Sequence, residues 1–246
     1  MSTKTPSERI ATLIAEHGSI LESTSGEDHW QWMGRRPIPK KDANKFLLLA
    51  MIDFQWKTET ASRKARGFAE VELGDPNDLW ERILRIPKSE WTSRVGQRSL
   101  HRTSTRHSKV RAMAQTMVSQ YGGDARRLWA DRSPGNTLDR LEALGLGPQL
   151  SRMTVGALLD EEELEGTGDV KPDIHLRRVL GRALAAREFS PEEVISATRA
   201  MRPDDPWPLD WPTWHIGHTW CHSHSPECLN CPLRTECAYF GQITGP

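Results

Sequence analysis

The sequence predicts an all-α protein, on three observations. Apolar residues recur at helical spacing in segment after segment, for example Val110, Met113 and Met117. Helix start signals of the Ser/Thr-Pro-x-Glu kind occur twice, at Thr5-Pro6 and at Ser190-Pro191. Alternating apolar/polar strand patterns are missing throughout. A length of 246 residues suits one large domain or two small ones, and either buries a core without covalent staples.

The elements follow in order. In "TPSERIATLIAEH" Thr5 is the N-cap, Pro6 takes the first helical position and Glu8 completes a capping box. Ile10, Leu13 and Ile14 share one face of that helix. Residues 22–43 are polar with Gly and Pro, and read as a long linker. "ANKFLLLAMIDFQ" is apolar on all sides, which predicts a buried helix. "DPNDLWERILRI" begins at Asp75-Pro76 and stops at Pro87. "RHSKVRAMAQTMVSQYGG" carries its apolar stripe to a Gly122-Gly123 stop. "SPEEVISATRAM" repeats the capping box with Ser190 and Glu193. The acidic run "DEEELE" covers 160–165.

Lys plus Arg and Asp plus Glu number 33 each, which argues against a protein that coats nucleic acid along its whole surface. Charge is unevenly placed, however. From Trp91 to Gly123 no residue is acidic, while Arg94, Arg98, Arg102, Arg106, Lys109 and Arg111 are basic. A phosphate-facing patch is the expectation here, against the plainer reading of a solvated face. The Ser, Thr and Gly content of this segment argues against one continuous helix. No apolar run exceeds the neighbourhood of "FLLLAMI", so no membrane span is expected, and "MSTKTPSERIATLIAEHGSI" lacks the pattern of a signal peptide. A cytoplasmic, nucleoid-associated protein is the expectation, and in that reducing setting clustered thiols read as metal ligands rather than disulfides.

All four cysteines, Cys221, Cys228, Cys231 and Cys237, lie in "CHSHSPECLNCPLRTEC" with spacing C-x6-C-x2-C-x5-C. Four thiolates on so short a loop can converge on one centre. Structural zinc usually takes two Cys-x2-Cys knuckles, and only one is present. His215, His218, His222 and His224 keep a zinc reading open. Upstream, "LDRLEALGLGPQLSRMTVGALL" at 138–159 reads as helix, tight turn, helix, with Gly145 and Gly147 supplying backbone freedom and bare N–H groups at the next helix start. An ordinary helix–helix turn fits the same glycines. In "VKPDIHLRRVLGRAL" Asp173 follows Pro172 and opens an amphipathic helix, which is ordinary N-cap chemistry.

Taken in this order, the cysteine loop, the Leu-rich "LEALGLG" turn and the Asp173-Ile174-His175 segment resemble the endonuclease III-like helix-hairpin-helix DNA glycosylase superfamily. The resemblance covers roughly residues 40–240. It implies a 4Fe-4S cluster on the four cysteines. It implies two helical domains with a DNA-binding cleft: a six-helix domain at 44–165 holding the hairpin, and a second built from 1–43 plus 166–246 with the cluster loop at 221–237. Asp173 takes the place of the catalytic carboxylate that supports cleavage of an N-glycosidic bond. Gln149 stands where bifunctional relatives carry a lysine, and Gln cannot form a Schiff base, so the resemblance implies a monofunctional enzyme. Lys57 and Lys171 are the other lysines to consider, and the sequence favours neither. Gly145, Leu146 and Gly147 would touch the DNA backbone, Arg234 on the cluster loop likewise. Gln55 would fill the gap left by a flipped base in duplex DNA. Phe54 and Trp56 flank it, as stacking partners or as rim aromatics. Met51 replaces the Glu of adenine-specific members, and Leu144 the Pro expected before the first hairpin Gly. Trp207, Trp211, Trp214 and Trp220 are expected to pack the cluster loop in place. The resemblance implies a monomer. A non-catalytic DNA-binding iron–sulfur protein is the alternative function.

Overall fold

The computed structural model describes residues 4–24, 37–53, 58–97 and 100–244, and among them the chain forms helices and no strand. It divides into two compact units, residues 27–165 and residues 1–26 with 166–246.

In the 27–165 unit, α2 (Lys40–Ile52) runs through the core, with Ala43 to Ile52 all buried. A helix apolar on every side has no solvent face to offer, so its neighbours must enclose it. Those neighbours include α3 (Thr58–Gly67), α4 (Leu79–Arg85), α6 (Ser104–Tyr121) and, later in the chain, α8 (Pro148–Asp160). Between α4 and α6 lies α5 (Lys88–Gln97), and α7 (Pro134–Ala143) precedes α8. The described residues of this unit thus form seven α-helices rather than six, because the chain restarts as α5 directly after Pro87. Phe46 meets Trp129 edge to face at 6.3 Å in the same core. Buried Asn44 ties α2 to the following loop: its Nδ2 donates to Gly123 O at 2.9 Å and its Oδ1 accepts from Ala125 N at 2.9 Å.

Several boundaries shift from expectation. α1 (Pro6–Thr24) extends past residue 22 and α2 starts at Lys40, so the linker is shorter than 22–43 and a domain limit at 44 would cut α2 in its first turn. α4 begins at Leu79 rather than at Asp75-Pro76, and Asp75 itself has φ +49°, a left-handed backbone that a helix cannot include. α6 ends as expected, with Gly122 at φ +57°.

The second unit packs α1 against α9 (Ile174–Ala185), α10 (Pro191–Met201) and α11 (Asp210–Thr219), with α12 (Ala238–Thr244) closing on α9. Its core holds Ile10, Ile14, Leu176, Leu180, Val194 and Ile216. Both expected capping boxes form. Thr5 N donates to Glu8 Oε2 at 2.6 Å and Glu8 N to Thr5 Oγ1 at 3.2 Å; Ser190 and Glu193 make the same reciprocal pair. Gly217 is where α11 meets α9: a Cβ there would lie 2.7 Å from His175 Cβ.

Candidate active site and cysteine loop

The hairpin turn is built by a helix stop. Gly145 has φ +91°, Gly145 N donates to Glu142 O at 2.9 Å and Leu146 N to Leu141 O at 3.2 Å. This is the Schellman arrangement, and it brings the buried Leu146 side chain into the same core as Leu141. Leu146 is therefore committed inward by both side chain and N–H. Gly147 is the N-cap of α8, and its N–H has no backbone acceptor among the described residues. Lys109 Nζ donates to Gly145 O at 3.1 Å and so fastens the turn to α6. Gln149 follows Pro148 in the first turn of α8, exposed to solvent.

The wider basic segment has a different use from the one expected. Arg106 is buried, and its Nη1 donates to Met51 O at 3.2 Å; burial alone pulls its guanidinium below the usual range. Arg111 donates to the carbonyls of Ile83, Leu84 and Ile86 at 3.3, 3.2 and 2.8 Å, closing the C-terminal end of α4. His101 and His107 are buried too. Among the described residues of this stretch Arg94 and Arg102 stay on the surface, and α5 and α6 are separate helices. The acidic run is equally structural. Glu163 accepts from Trp129 Nε1 at 3.2 Å, and Glu165 pairs with Arg132 at 2.7 Å.

In the other unit Asp173 is the N-cap of α9. Its Oδ1 accepts from His175 N at 2.8 Å and Leu176 N at 3.1 Å, which stabilises the helix start by about 1 kcal/mol. Its Oδ2 lies 3.3 Å from Lys171 Nζ. The turn before it is held from beneath: the buried Asp210, on α11, accepts Lys171 N at 2.7 Å through Oδ2. His175 follows directly. Burial pushes its imidazole below the usual range, against the opposing pull of Asp173. Its ring leans on Trp214 at 5.6 Å, and Trp214 stacks on both Trp211 at 5.2 Å and His218 at 4.9 Å.

The cysteine loop packs on the same α9. The four thiols line one small pocket together with Arg182 and Leu233. Burial is the main force raising three of the thiols, Cys231 to about 12, with neighbouring cysteines adding to it. Four thiols around one pocket suit a cationic inorganic centre, which would hold them as thiolates. Among the described residues no three His, Cys, Asp or Glu side chains form a single-ion site. Arg178 Nε donates to Cys221 O and its Nη2 to Gly217 O at 3.1 Å. Arg182 donates to Cys221 Sγ at 3.6 Å, His222 O at 2.7 Å and Ser223 O at 3.1 Å. Arg234 is exposed, with Nη1 on Leu229 O at 2.7 Å.

The structure therefore gathers Gly145, Leu146, Gly147 and Gln149 on one turn, and Asp173 with the four cysteines around α9. Gln55, with Phe54, Trp56 and Lys57, lies outside the described residues. Of the tryptophans, Trp220 lines the cysteine cavity as expected of a packing residue, whereas Trp211 is half exposed. The contacts of Lys171, Arg178 and Arg182 were not legible. The one available signal was that Arg178 and Arg182 are four residues apart and so share a helix face.

No family model matches the chain. Endonuclease III of Thermotoga maritima is 27% identical over 192 residues, covering 74% of this chain and 75% of that protein. The fold is similar over 100% of both chains to an endonuclease III in a non-covalent complex with DNA, with TM-score 0.69 and 16% identity. A thermostable thymine-DNA glycosylase matches with TM-score 0.67 and 14% identity, over 96% of this chain and 97% of that one. The architecture is thus that of the endonuclease III-like all-helical fold. With the sequence relative added, the chain is similar in both sequence and fold to endonuclease III.

Proposed function

We propose that this protein is a DNA glycosylase that hydrolyses the N-glycosidic bond of a damaged or modified base in duplex DNA, and that it is monofunctional at its hairpin. The observation that carries the reading is the Asp173 carboxylate, fixed by two backbone N–H groups at the start of α9. Loss of a base leaves positive charge on the sugar, and a carboxylate held in place stabilises that charge and orients the attacking water. One oxygen holds the helix cap while the other is the candidate reactive oxygen. Gln149 brings an amide where a Schiff base would require an amine. Gly147 N–H, at the start of α8, is the hairpin's donor to a backbone phosphate, and Arg234 adds a cation on the cysteine loop. Gln55 is assigned to the gap left by the flipped nucleotide. Cys221, Cys228, Cys231 and Cys237 are assigned to a 4Fe-4S cluster, whose work here is structural: it ties the loop bearing Arg234 to α9. The protein acts as a monomer in the cytoplasm, on the nucleoid.

Single-turnover incubation with duplexes that each carry one modified base tests the reading. One duplex should lose its base, and Asp173→Asn should slow that loss by roughly 10²-fold or more with DNA binding retained. Undiminished release by Asp173→Asn removes Asp173 from the chemistry. Binding with no release from any duplex favours a non-catalytic DNA-binding iron–sulfur protein.

A further inference from the structure

α11 touches the chain on both sides of Asp173. Before it, Asp210, the first residue of α11, accepts Lys171 N at 2.7 Å through Oδ2. After it, the His175 ring leans on Trp214 at 5.6 Å, and Gly217 lets α11 approach so closely that a Cβ there would lie 2.7 Å from His175 Cβ. The short span between these anchors carries the Asp173 carboxylate. It is closed on itself as well: Asp173 N donates to Lys171 O at 2.7 Å, and the buried Pro172 fixes its own φ. Asp173 is therefore set by α11 as much as by its own helix. Asp210 is an unusual choice for the anchor. It is 6% exposed, and an ionised carboxylate is unfavourable to bury unless hydrogen bonds compensate. The N-cap position of α11 is Leu209, so Asp210 is not the cap residue of its helix. Its carboxylate reaches a backbone N–H 39 residues upstream, and an ionised acceptor makes that bond roughly twice as strong as a neutral one.

We propose that Asp210 is a positioning residue for base release: by holding the Lys171 N–H it fixes the turn that aims the Asp173 carboxylate at the sugar. The inference rests on the glycosylase reading of Asp173. Asp210 moves no proton and touches neither base nor sugar; its work is geometric. The bonds from His175 N and Leu176 N fix the carboxylate from the helix side only. An N-cap residue has its own backbone outside the helix, so those bonds leave the chain entering Asp173 undetermined. Asp210 closes that side. A group that stabilises developing charge must be held within about 0.5 Å of its productive place, and a misplacement on the order of 1 Å can cost about 10²-fold in rate. The role calls for an acceptor oxygen at one spot. A neutral amide of the same reach fills it with a weaker bond, whereas a longer carboxylate keeps the charge and displaces the turn.

The test is single-turnover base release by the full-length protein, on a modified duplex that the parent acts on, with Asp210→Ala, Asp210→Asn and Asp210→Glu. Asp210→Ala should lower the saturating rate roughly tenfold or more and leave the half-saturating DNA concentration unchanged. Asp210→Asn should stay within about threefold of the parent, and Asp210→Glu should fall below Asp210→Asn although it keeps the charge. Hydrogen exchange at the Lys171 amide, measured well below the melting temperatures, should quicken about tenfold or more in Asp210→Ala and stay near the parent in Asp210→Asn. Should Asp210→Ala fail to fold, the order of Asp210→Asn and Asp210→Glu decides alone. A saturating rate undiminished in Asp210→Ala overturns the proposal, as does a loss confined to the half-saturating concentration. Asp210→Glu faster than Asp210→Asn overturns it too, because charge and not placement would then be what matters. Base release by the parent that Asp210→Ala matches leaves the glycosylase reading standing and removes this one. No release by the parent from any modified duplex overturns the glycosylase reading and this inference with it.

Discussion

Two basic stretches, 91–123 in one unit and α9 in the other, invite the same reading from their arginines, and the structure uses them differently. In the first, Arg106, Lys109 and Arg111 point at backbone carbonyls: Met51, the Gly145 turn and the end of α4. These cations close helix ends and fasten a turn. Along α9, Arg178 and Arg182 also hold carbonyls, but those belong to the cysteine loop, and Arg182 adds a sulfur contact. The same helix begins with Asp173. A guanidinium has five donors and serves equally well as a helix-end cap, a loop clasp or a phosphate binder. Which it becomes depends on the carbonyls that the fold brings within reach.

The largest expected effects come from removing one arginine of each kind. Arg111→Ala leaves the carbonyls at the end of α4 without their donor and should cost about 2–3 kcal/mol, with base release per folded molecule unchanged. Arg178→Ala should destabilise to a similar degree and also loosen the Cys221 segment, so under the proposed 4Fe-4S assignment purified protein should hold fewer irons per chain. Denaturant melts and iron quantitation of both variants separate the two uses. Full iron content in Arg178→Ala, or iron loss in Arg111→Ala, breaks the distinction.

That contrast also marks what the sequence could reveal. Helix periodicity and capping grammar are local, so α1, α6 and α10 were legible, with both capping boxes and the Gly122 stop. The hairpin was legible for the same reason, since a left-handed Gly145 is a property of four or five consecutive residues. The meeting of Arg111 with α4, or of Arg182 with Cys221, spans 28 or 39 residues of chain, and no spacing rule reaches that far. The Lys171–Asp173 contact is close in sequence yet was equally hidden, because it depends on Asp210 of another helix holding the turn. Leu146 shows the converse: it belongs to the turn as read, but the Schellman geometry sends it inward.

A smaller effect is expected where α9 and α11 touch. Gly217→Ala would place a Cβ 2.7 Å from His175 Cβ and 3.1 Å from Val179 Cγ2, so the helices must separate by a few tenths of an ångström or more. Overpacking of this kind costs about 1–3 kcal/mol. Gly145→Ala, in the other unit, meets no atom within 4 Å, and its cost is that of the left-handed backbone alone. Because His175 sits next to Asp173, Gly217→Ala should also slow base release beyond what its thermal melt accounts for. Gly145→Ala should instead weaken DNA binding. Equal kinetic signatures from the two would mean that the α9–α11 contact is only packing.

The smallest expected effect is on pH dependence, and it belongs to the 1–26 and 166–246 unit. His17 hydrogen-bonds to His215 at 3.0 Å, and burial lowers both imidazoles, with neighbouring histidines adding to the shift; burial also lowers His175. A histidine kept neutral in the folded state binds fewer protons than the same group unfolded. Its contribution is thus complete above the unfolded value near 6.5 and is lost as pH falls below that value toward the lowered folded one. Thermal melts should be flat from pH 8 to 7 and then decline modestly toward pH 5.5. His17→Gln keeps a hydrogen-bonding side chain but removes one titrating group, so it should flatten the acid side of the curve. The histidines buried in the other unit, His101 and His107, accept and donate to their own segment: Thr103 N to His101 Nδ1 at 3.1 Å, and His107 Nε2 with His101 O. A decline equally steep in His17→Gln would place the sensitivity on His215 and His175 instead.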